Sequence, residues 1–404
     1  MPRAPGASGY LLLFLALFLG WGVLSPFLPA VLAERGATPA EIGVILGAGI
    51  AARLVATPLA GLLADRWAAP RLLLGATLLL GACFALGYGA ATGFAGLLLV
   101  GLLQSAATGP VGALPDALAV RALNRPGARL DYGAVRGAGA AAFVAGTALA
   151  GLAVGAAGGA GVVLWLHAAC FLLAAAVLPG LAAPAHVAGA SGRRRALPEA
   201  VNRPPGHEAR PEAGAARRLL ALPQIRALLL VTALIQGSHA LQTGYATLRW
   251  EAAGLSPEII GLLWGLSVAA EVLVFLLLGR RLLARLGPAG LCALAAGAGV
   301  LRWSVMATTA ALPAMLLVQP LHGLTFAAQH LAAMAVLARV APPGLAATAQ
   351  SLYATLGGGL STALLTVVSG LLYGRYGAAA FWAMAVLCLA ALPPARRLQA
   401  SLAG

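Results

Sequence analysis

The sequence predicts an all-α membrane protein of twelve transmembrane helices in two pseudo-symmetric six-helix bundles. Three observations carry that reading. Of the 404 residues, 61% are hydrophobic and 9% charged, with a mean hydropathy of +0.92. A soluble domain cannot hide so much apolar surface, so the solvent is lipid. Apolar runs long enough to cross a bilayer, about 20 residues at ~1.5 Å rise, recur along the whole chain. And one run is repeated 218 residues on. TPAEIGVILGAGIAARLVATPLAGLLADR, starting at Thr38, aligns with SPEIIGLLWGLSVAAEVLVFLLLGRRLLAR, starting at Ser256. Pro39 falls on Pro257, Gly43 on Gly261, Gly47 on Gly265, Gly61 on Gly279, and Arg53 on Glu271.

Taken in order, the apolar segments are Tyr10–Leu32, Ala40–Ala64, Arg71–Ala90, Phe94–Val120, Tyr132–Ala156 and Gly161–Ala182. A second set follows: Ile225–Ala246, Pro257–Leu282, Gly287–Thr309, Leu312–Ala338, Ala346–Leu372 and Ala378–Leu392. The first is too long for a cleaved signal and is followed directly by more spans. The second and eighth each open with a hydroxyl residue at the N-cap and Pro at the first helical position, a helix-start signal. Gly and Pro within the runs are tolerated in lipid, where small residues let helices approach closely.

Between the two sets lies residues 183–222, rich in Pro, Gly, Ala and Arg with no apolar periodicity. It is expected to be a disordered linker joining an N-terminal bundle (1–182) to a C-terminal one (223–404). His186 and His207 within it are too isolated for a metal site. Cys83, Cys170, Cys292 and Cys388 sit inside apolar runs without metal-ligand spacing and read as small buried hydrophobes, so neither metal nor cofactor is expected.

Every basic residue is Arg, and the net charge of +15 is a topology signal. With loops assigned alternately to the two sides, Arg3, Arg66, Arg71, Arg121, Arg125, Arg129, the 183–224 segment, Arg226, Arg280, Arg281, Arg285, Arg339, Arg396 and Arg397 share the side of the N-terminus. Arg35, Arg249 and Arg375 fall opposite. The positive-inside rule then places both termini in the cytoplasm, with contact to anionic lipid a secondary reading. Nucleic acid is excluded as a partner because no soluble domain offers a basic face. The Ala-, Gly- and Arg-rich composition suits a GC-rich bacterial genome and hence the inner membrane.

Ionisable groups inside a bilayer are expensive and are functional candidates by default. Here they are Asp116, Glu271, Arg53, Arg136 and Arg302, joined by His239, His322 and His330. Helix-to-helix pairing is the plainer use of such charges, and a single intramembrane His as often bonds a neighbouring helix as carries a proton. Two related halves with a charge at matching places point to a transporter working by alternating access.

Gly61-Leu-Leu-Ala-Asp65-Arg66, with Arg71 after it, resembles the loop between helices two and three of the major facilitator superfamily, where Asp and Arg hold one side closed. In the second copy Leu283 replaces the Asp. GVILGAGIAARLVATPL, DYGAVRGAGAAAF, GLLWGLSVAAEVLVF, LHGLTFAAQH and PPGLAATAQSLYATLG are similar to the phenylpropionate-transporter and nucleoside-symporter branch, which includes relatives of lactose permease. That resemblance spans nearly the whole chain. It implies proton-coupling roles for Glu271, Arg302 and His322, with Thr325 where a carboxylate would be and Gln319 where a Lys would be. It implies substrate contacts from Asp116, Arg136 and Phe143, the last in place of a sugar-stacking Trp, which argues against a disaccharide. Arg53 and His239 join the substrate candidates, and Gly61, Asp65 and Arg66 the gate.

Independently of the family, a carboxyl group in low dielectric favours its protonated form and a nearby guanidinium favours the ionised one. An Arg302 that approaches and leaves Glu271 would drive proton uptake and release. The expected activity is proton-coupled symport of a small organic solute by a monomer, and the resemblance implies an aromatic acid such as phenylpropionate. Arg136 or Arg302 could grip its carboxylate, and Trp21, Tyr245, Trp250 and Trp264 could offer stacking walls or anchor the interface. Efflux antiport of amphipathic compounds uses the same fold, and a non-transporting sensor is the alternative from another class. An enzyme is not expected: HExxH, GxSxG and phosphate-cradling loops are all absent.

Overall fold

The computed structural model of the chain describes residues 7–123, 131–181 and 214–403. Arg3, Arg125, Arg129 and residues 183–213 of the expected linker lie outside them. Among the described residues every regular element is helical. The first span is Ala7–Leu24 continued, after a 44° bend, by Leu28–Glu34. Pro39–Arg66, Pro70–Ala90, Gly93–Leu123, Tyr132–Ala157 and Val162–Gly180 are the second to sixth, and Pro223–Ala252 the seventh. Two further helical runs, Pro257–Thr308 and Ala346–Leu402, have 52 and 57 residues, about twice what one crossing takes. Each is divided by a glycine in the left-handed region, Gly287 at φ 65° and Gly377 at φ 53°. With Leu312–Val340 between them the described residues make twelve spans.

Local chemistry explains the helix starts. The Thr38 hydroxyl accepts from the Glu41 amide while the Glu41 carboxylate accepts from the Thr38 amide at 2.8 Å, a reciprocal capping box ahead of Pro39. The second copy departs from the expected cap: Ser256 occupies the N-cap with extended backbone, but its hydroxyl makes no capping bond. The last part of the expected linker is also structured. Ala215–Ala221 is a short helix with Leu219 fully buried, set at 87° to the seventh span. Wide π turns interrupt the eighth span at Val274–Leu278, the tenth at Gly323–Ala328 and the eleventh at Tyr353–Leu360.

The two sets of six spans meet along two seams, second against eleventh and fifth against eighth. Small residues make both possible. A Cβ on Gly43 would stand 2.9 Å from the Gly370 Cα, and one on Gly261 would collide with the Thr147 carbonyl. Both contacts lie toward the ends opposite the termini, hereafter the far side. Two hydroxyls close that side further: Tyr245 donates to the Pro39 carbonyl at 2.7 Å and Thr247 to the Pro26 carbonyl at 2.5 Å. On the terminus side, the helix ends at 113–123, 274–278 and 329–340 keep their main contacts within their own half. The molecule is closed on the far side and parted on the other.

Gly261→Val would place branched carbons against the Thr147 carbonyl, overpacking worth about 1–3 kcal/mol. It is expected to shift the protein toward opening on the far side. The check is the alkylation rate of a cysteine introduced at Leu46, inside the seam, by an impermeant reagent applied from that side; an unchanged rate would contradict it.

Candidate functional site

Between the halves lies a cavity of about 320 Å³, lined mostly by apolar groups. The first half supplies Trp21 and Ser25 from the first span, Arg53 from the second, Tyr88 from the third, Gln104 and Ser105 from the fourth, and Phe143 from the fifth. The second half adds only two hydroxyls, Thr243 and Thr366, to the polar lining. Arg53 and Phe143, both substrate candidates, therefore line one cavity. Tyr88, Gln104 and Ser105 were not foreseen, and their only signal was a neutral polar group within an apolar run.

Among the described residues Arg53 makes no hydrogen bond and no ion pair, and it is exposed to the cavity. The other intramembrane arginines are engaged. Arg136 lies 3.5 Å from Asp116 and over the Phe18 ring, 5.1 Å from its centroid. Those two site candidates pair with each other rather than lining the cavity, and at their partial exposure the pair is worth little stability.

Arg302, fully buried, anchors a polar network in the second half. Its guanidinium donates to Gln319 Oε1 at 2.8 Å, to Thr325 Oγ1 at 3.4 Å and to His322 Nδ1 at 3.1 Å. Arginine only donates, so His322 Nδ1 must accept, and the ring proton then sits on Nε2. That nitrogen stands 3.5 Å from Glu271 Oε2. Sequence reasoning placed Arg302 directly opposite Glu271; the structure interposes His322, one ring nitrogen facing each. Gln319 Oε1 also receives Ser267 at 3.0 Å and Gln242 at 3.2 Å. His239 joins through Thr325, 2.9 Å from its Nε2, while its Nδ1 faces the Ile235 carbonyl at 3.0 Å. His239 thus belongs to this network and not to the cavity lining. His330 lies apart, 3.2 Å from the Tyr353 hydroxyl. It borders a second hollow that shares Ile50 with the main cavity.

Of the four aromatic walls expected, Trp21 alone lines the cavity. Tyr245 stacks on Tyr373 with ring centroids 4.7 Å apart, and Trp250 is buried against Met315 and Trp264. Trp264 spends its indole N–H on Thr247. The reason is helix rotation: each of these three faces a neighbouring helix. At the loop between the second and third spans, Asp65 pairs with Arg121 of its own half at 3.2 Å, with both side chains largely exposed. Gly61 borders a small hollow beside that pair, and Arg66 is exposed.

The sequence matches the MFS_1 like family over residues 8–384. It belongs to that family, and so to the major facilitator superfamily of transporters. The chain is 33% identical over 380 residues to the "Probable 3-phenylpropionic acid transporter" of Escherichia coli (strain K12), covering 93% of each. It is 29% identical to the "Maltose permease" of Geobacillus stearothermophilus, covering 93% of this chain and 90% of that one. Among solved structures it resembles the nucleoside transporter NupG, with a TM-score of 0.79, 17% identity and 98% of both chains covered. It also resembles a bacterial homologue of the lysosomal transporter Spinster, with a TM-score of 0.70, 15% identity, and 98% and 96% covered. At those identities the likeness is one of fold. The protein is a multi-pass membrane transporter, not an enzyme.

Replacing Arg302 by Met strips the donor from Gln319, Thr325 and His322 at once. Gln319 keeps Ser267 and Gln242, but His322 Nδ1 is left with no donor, and a buried acceptor without a partner costs about 1–3 kcal/mol. Arg302→Met is expected to lower the unfolding midpoint in detergent clearly, whereas Arg136→Gln, at a half-exposed pair, should hardly move it; the same thermal melt reads both.

Proposed function

We propose that the protein imports a small aromatic carboxylate together with a proton, acting as a monomer in the bacterial inner membrane. The observation that carries this reading is the unpartnered Arg53 in a cavity rimmed by Trp21 and Phe143. A cation facing an apolar cavity without a counter-ion invites an anion, and a guanidinium holds a carboxylate by two parallel hydrogen bonds. The rings beside it take an aromatic body edge-on or stacked. The name of the Escherichia coli relative supports an aromatic acid, and the apolar cavity with Phe143 in its wall suits that better than a disaccharide.

With the arginine-rich side cytoplasmic, the parted terminus side makes this the inward-open state. The two six-helix bundles, 1–182 and 223–404, would rock about the seams, with 183–222 as their connection. Substrate charge is met by the first half and the proton by the second. Glu271 is the proton carrier in this scheme. Ionised, it is held through the Nε2–H of His322, whose other nitrogen takes the Arg302 proton donor. Protonated, it releases that ring. At 3.5 Å the contact is long, so a small shift of the eighth span past the tenth makes or breaks it. Asp65, Arg66 and Gly61 would close the cytoplasmic side in the opposite state, and Asp116 with Arg136 would guard the path to the cavity.

Two substitutions separate these roles in proteoliposomes supplied from outside with radiolabelled 3-phenylpropionate. Arg53→Gln loses a charge-assisted bidentate contact and is expected to raise KM by roughly 10-fold or more, with Arg53→Lys between it and the native protein. A native KM in Arg53→Gln would remove the carboxylate from that arginine. Glu271→Gln is expected to abolish accumulation driven by an acid-outside gradient while sparing exchange of labelled for unlabelled substrate; continued uphill accumulation would take the proton off Glu271.

A further inference from the structure

The repeated loop treats its charges differently in the two halves. In the first copy Asp65 takes Arg121 as partner, 3.2 Å away. At the offset of 218 residues, Leu283 stands for Asp65 and Arg339 for Arg121. Arg339 turns to the Leu402 carbonyl instead, at 2.7 Å. The second copy also carries three guanidinium groups that the first lacks: Arg280, Arg281 and Arg285 replace Leu62, Leu63 and Trp67. All three are exposed, and among the described residues none has a hydrogen-bond or ion-pair partner.

Their depth is set by their neighbours. Leu276, Leu277 and Leu278 precede them with 75%, 60% and 44% of their surface exposed, and Leu286 follows at 45%. Leucines so exposed on a spanning helix face acyl chains. The next turn therefore lies at the level of the headgroups, just before the chain breaks at Gly287. Arg281 and Arg285, four residues apart, share one face of that turn. Long apolar stems let such arginines rest on the hydrocarbon while their heads reach the interface.

We infer that Arg280, Arg281 and Arg285 form a binding site for the headgroup of an anionic phospholipid in the leaflet on the terminus side. The phosphodiester accepts paired hydrogen bonds from the planar guanidinium groups, and the exposed leucines pack against the acyl chains below. The site exists in the second half alone because the first copy has Leu62, Leu63 and Trp67 at these places, and the second has Leu283 in place of an acid that could neutralise them.

The test uses the purified full chain and a fluorescent phosphatidylglycerol, with phosphatidylcholine as the neutral comparison. Arg281→Gln with Arg285→Gln is expected to weaken phosphatidylglycerol binding by about 10-fold and to leave the weak phosphatidylcholine binding as it was. Arg396→Gln with Arg397→Gln removes the same charge from the same side and is expected to change binding by no more than about twofold. These side chains are exposed, so an unchanged melting temperature verifies the fold of each variant. Equal losses in the two double variants would show a diffuse charge effect and overturn the site. So would displacement of the lipid by inorganic phosphate at equal concentration, which would mark a free-anion site, or native affinity in a variant lacking all three arginines.

Discussion

A guanidinium with no water in reach must find its hydrogen-bond acceptors within the protein, and the second half is arranged around meeting that demand for Arg302. Gln319 from the tenth span, His322 one turn later and Thr325 beyond it all face this one side chain. Their placement fixes the rotation of the tenth span against the ninth. It also sets the His322 tautomer, which in turn decides which atom meets Glu271. Ser267 and Gln242 are recruited to the same Gln319 oxygen and tie in the eighth and seventh spans. Four helices are thereby registered by a single buried cation.

The first half solves the same problem in the opposite way. One of its two intramembrane arginines, Arg53, occupies the place of Glu271 in the repeat but is surrounded by no comparable set of acceptors. It opens into a cavity instead. Arg302 is spent on internal order, whereas Arg53 stays available to the cavity. Duplication supplied the matching positions, and divergence between Arg53 and Glu271 separated the two tasks.

Much of this was legible before any coordinates. The 218-residue offset revealed the paired halves, and hydropathy located all twelve spans because a bilayer imposes one length on every crossing. The grouping of Glu271, Arg302 and His322 was also foreseen, since charges in hydrocarbon must seek one another. What stayed hidden was which way each helix faces. In water an apolar stripe reveals the buried side, but here the lipid-facing and core-facing sides are equally apolar. Tyr245 and Trp250 were thus assigned to walls they do not form, and Asp116 with Arg136 to a cavity they do not line. The order Arg302–His322–Glu271 depends on side-chain geometry, which spacing alone does not encode. Neutral polar groups such as Gln104 and Tyr88 gave still less signal, because Gln and Tyr occur in spans for many reasons.

The wide turns at Val274–Leu278, Gly323–Ala328 and Tyr353–Leu360 all lie in the second half; the described residues of the first have none. Such turns loosen the regular ladder of backbone bonds. Wide turns are therefore distributed unevenly along the repeated scaffold: among the described residues the first bundle has none and the second has three, two of them next to Glu271 and His322. If shape changes start where the backbone ladder is least regular, they start in the second bundle beside the Glu271–His322 contact, and the cavity around Arg53 follows.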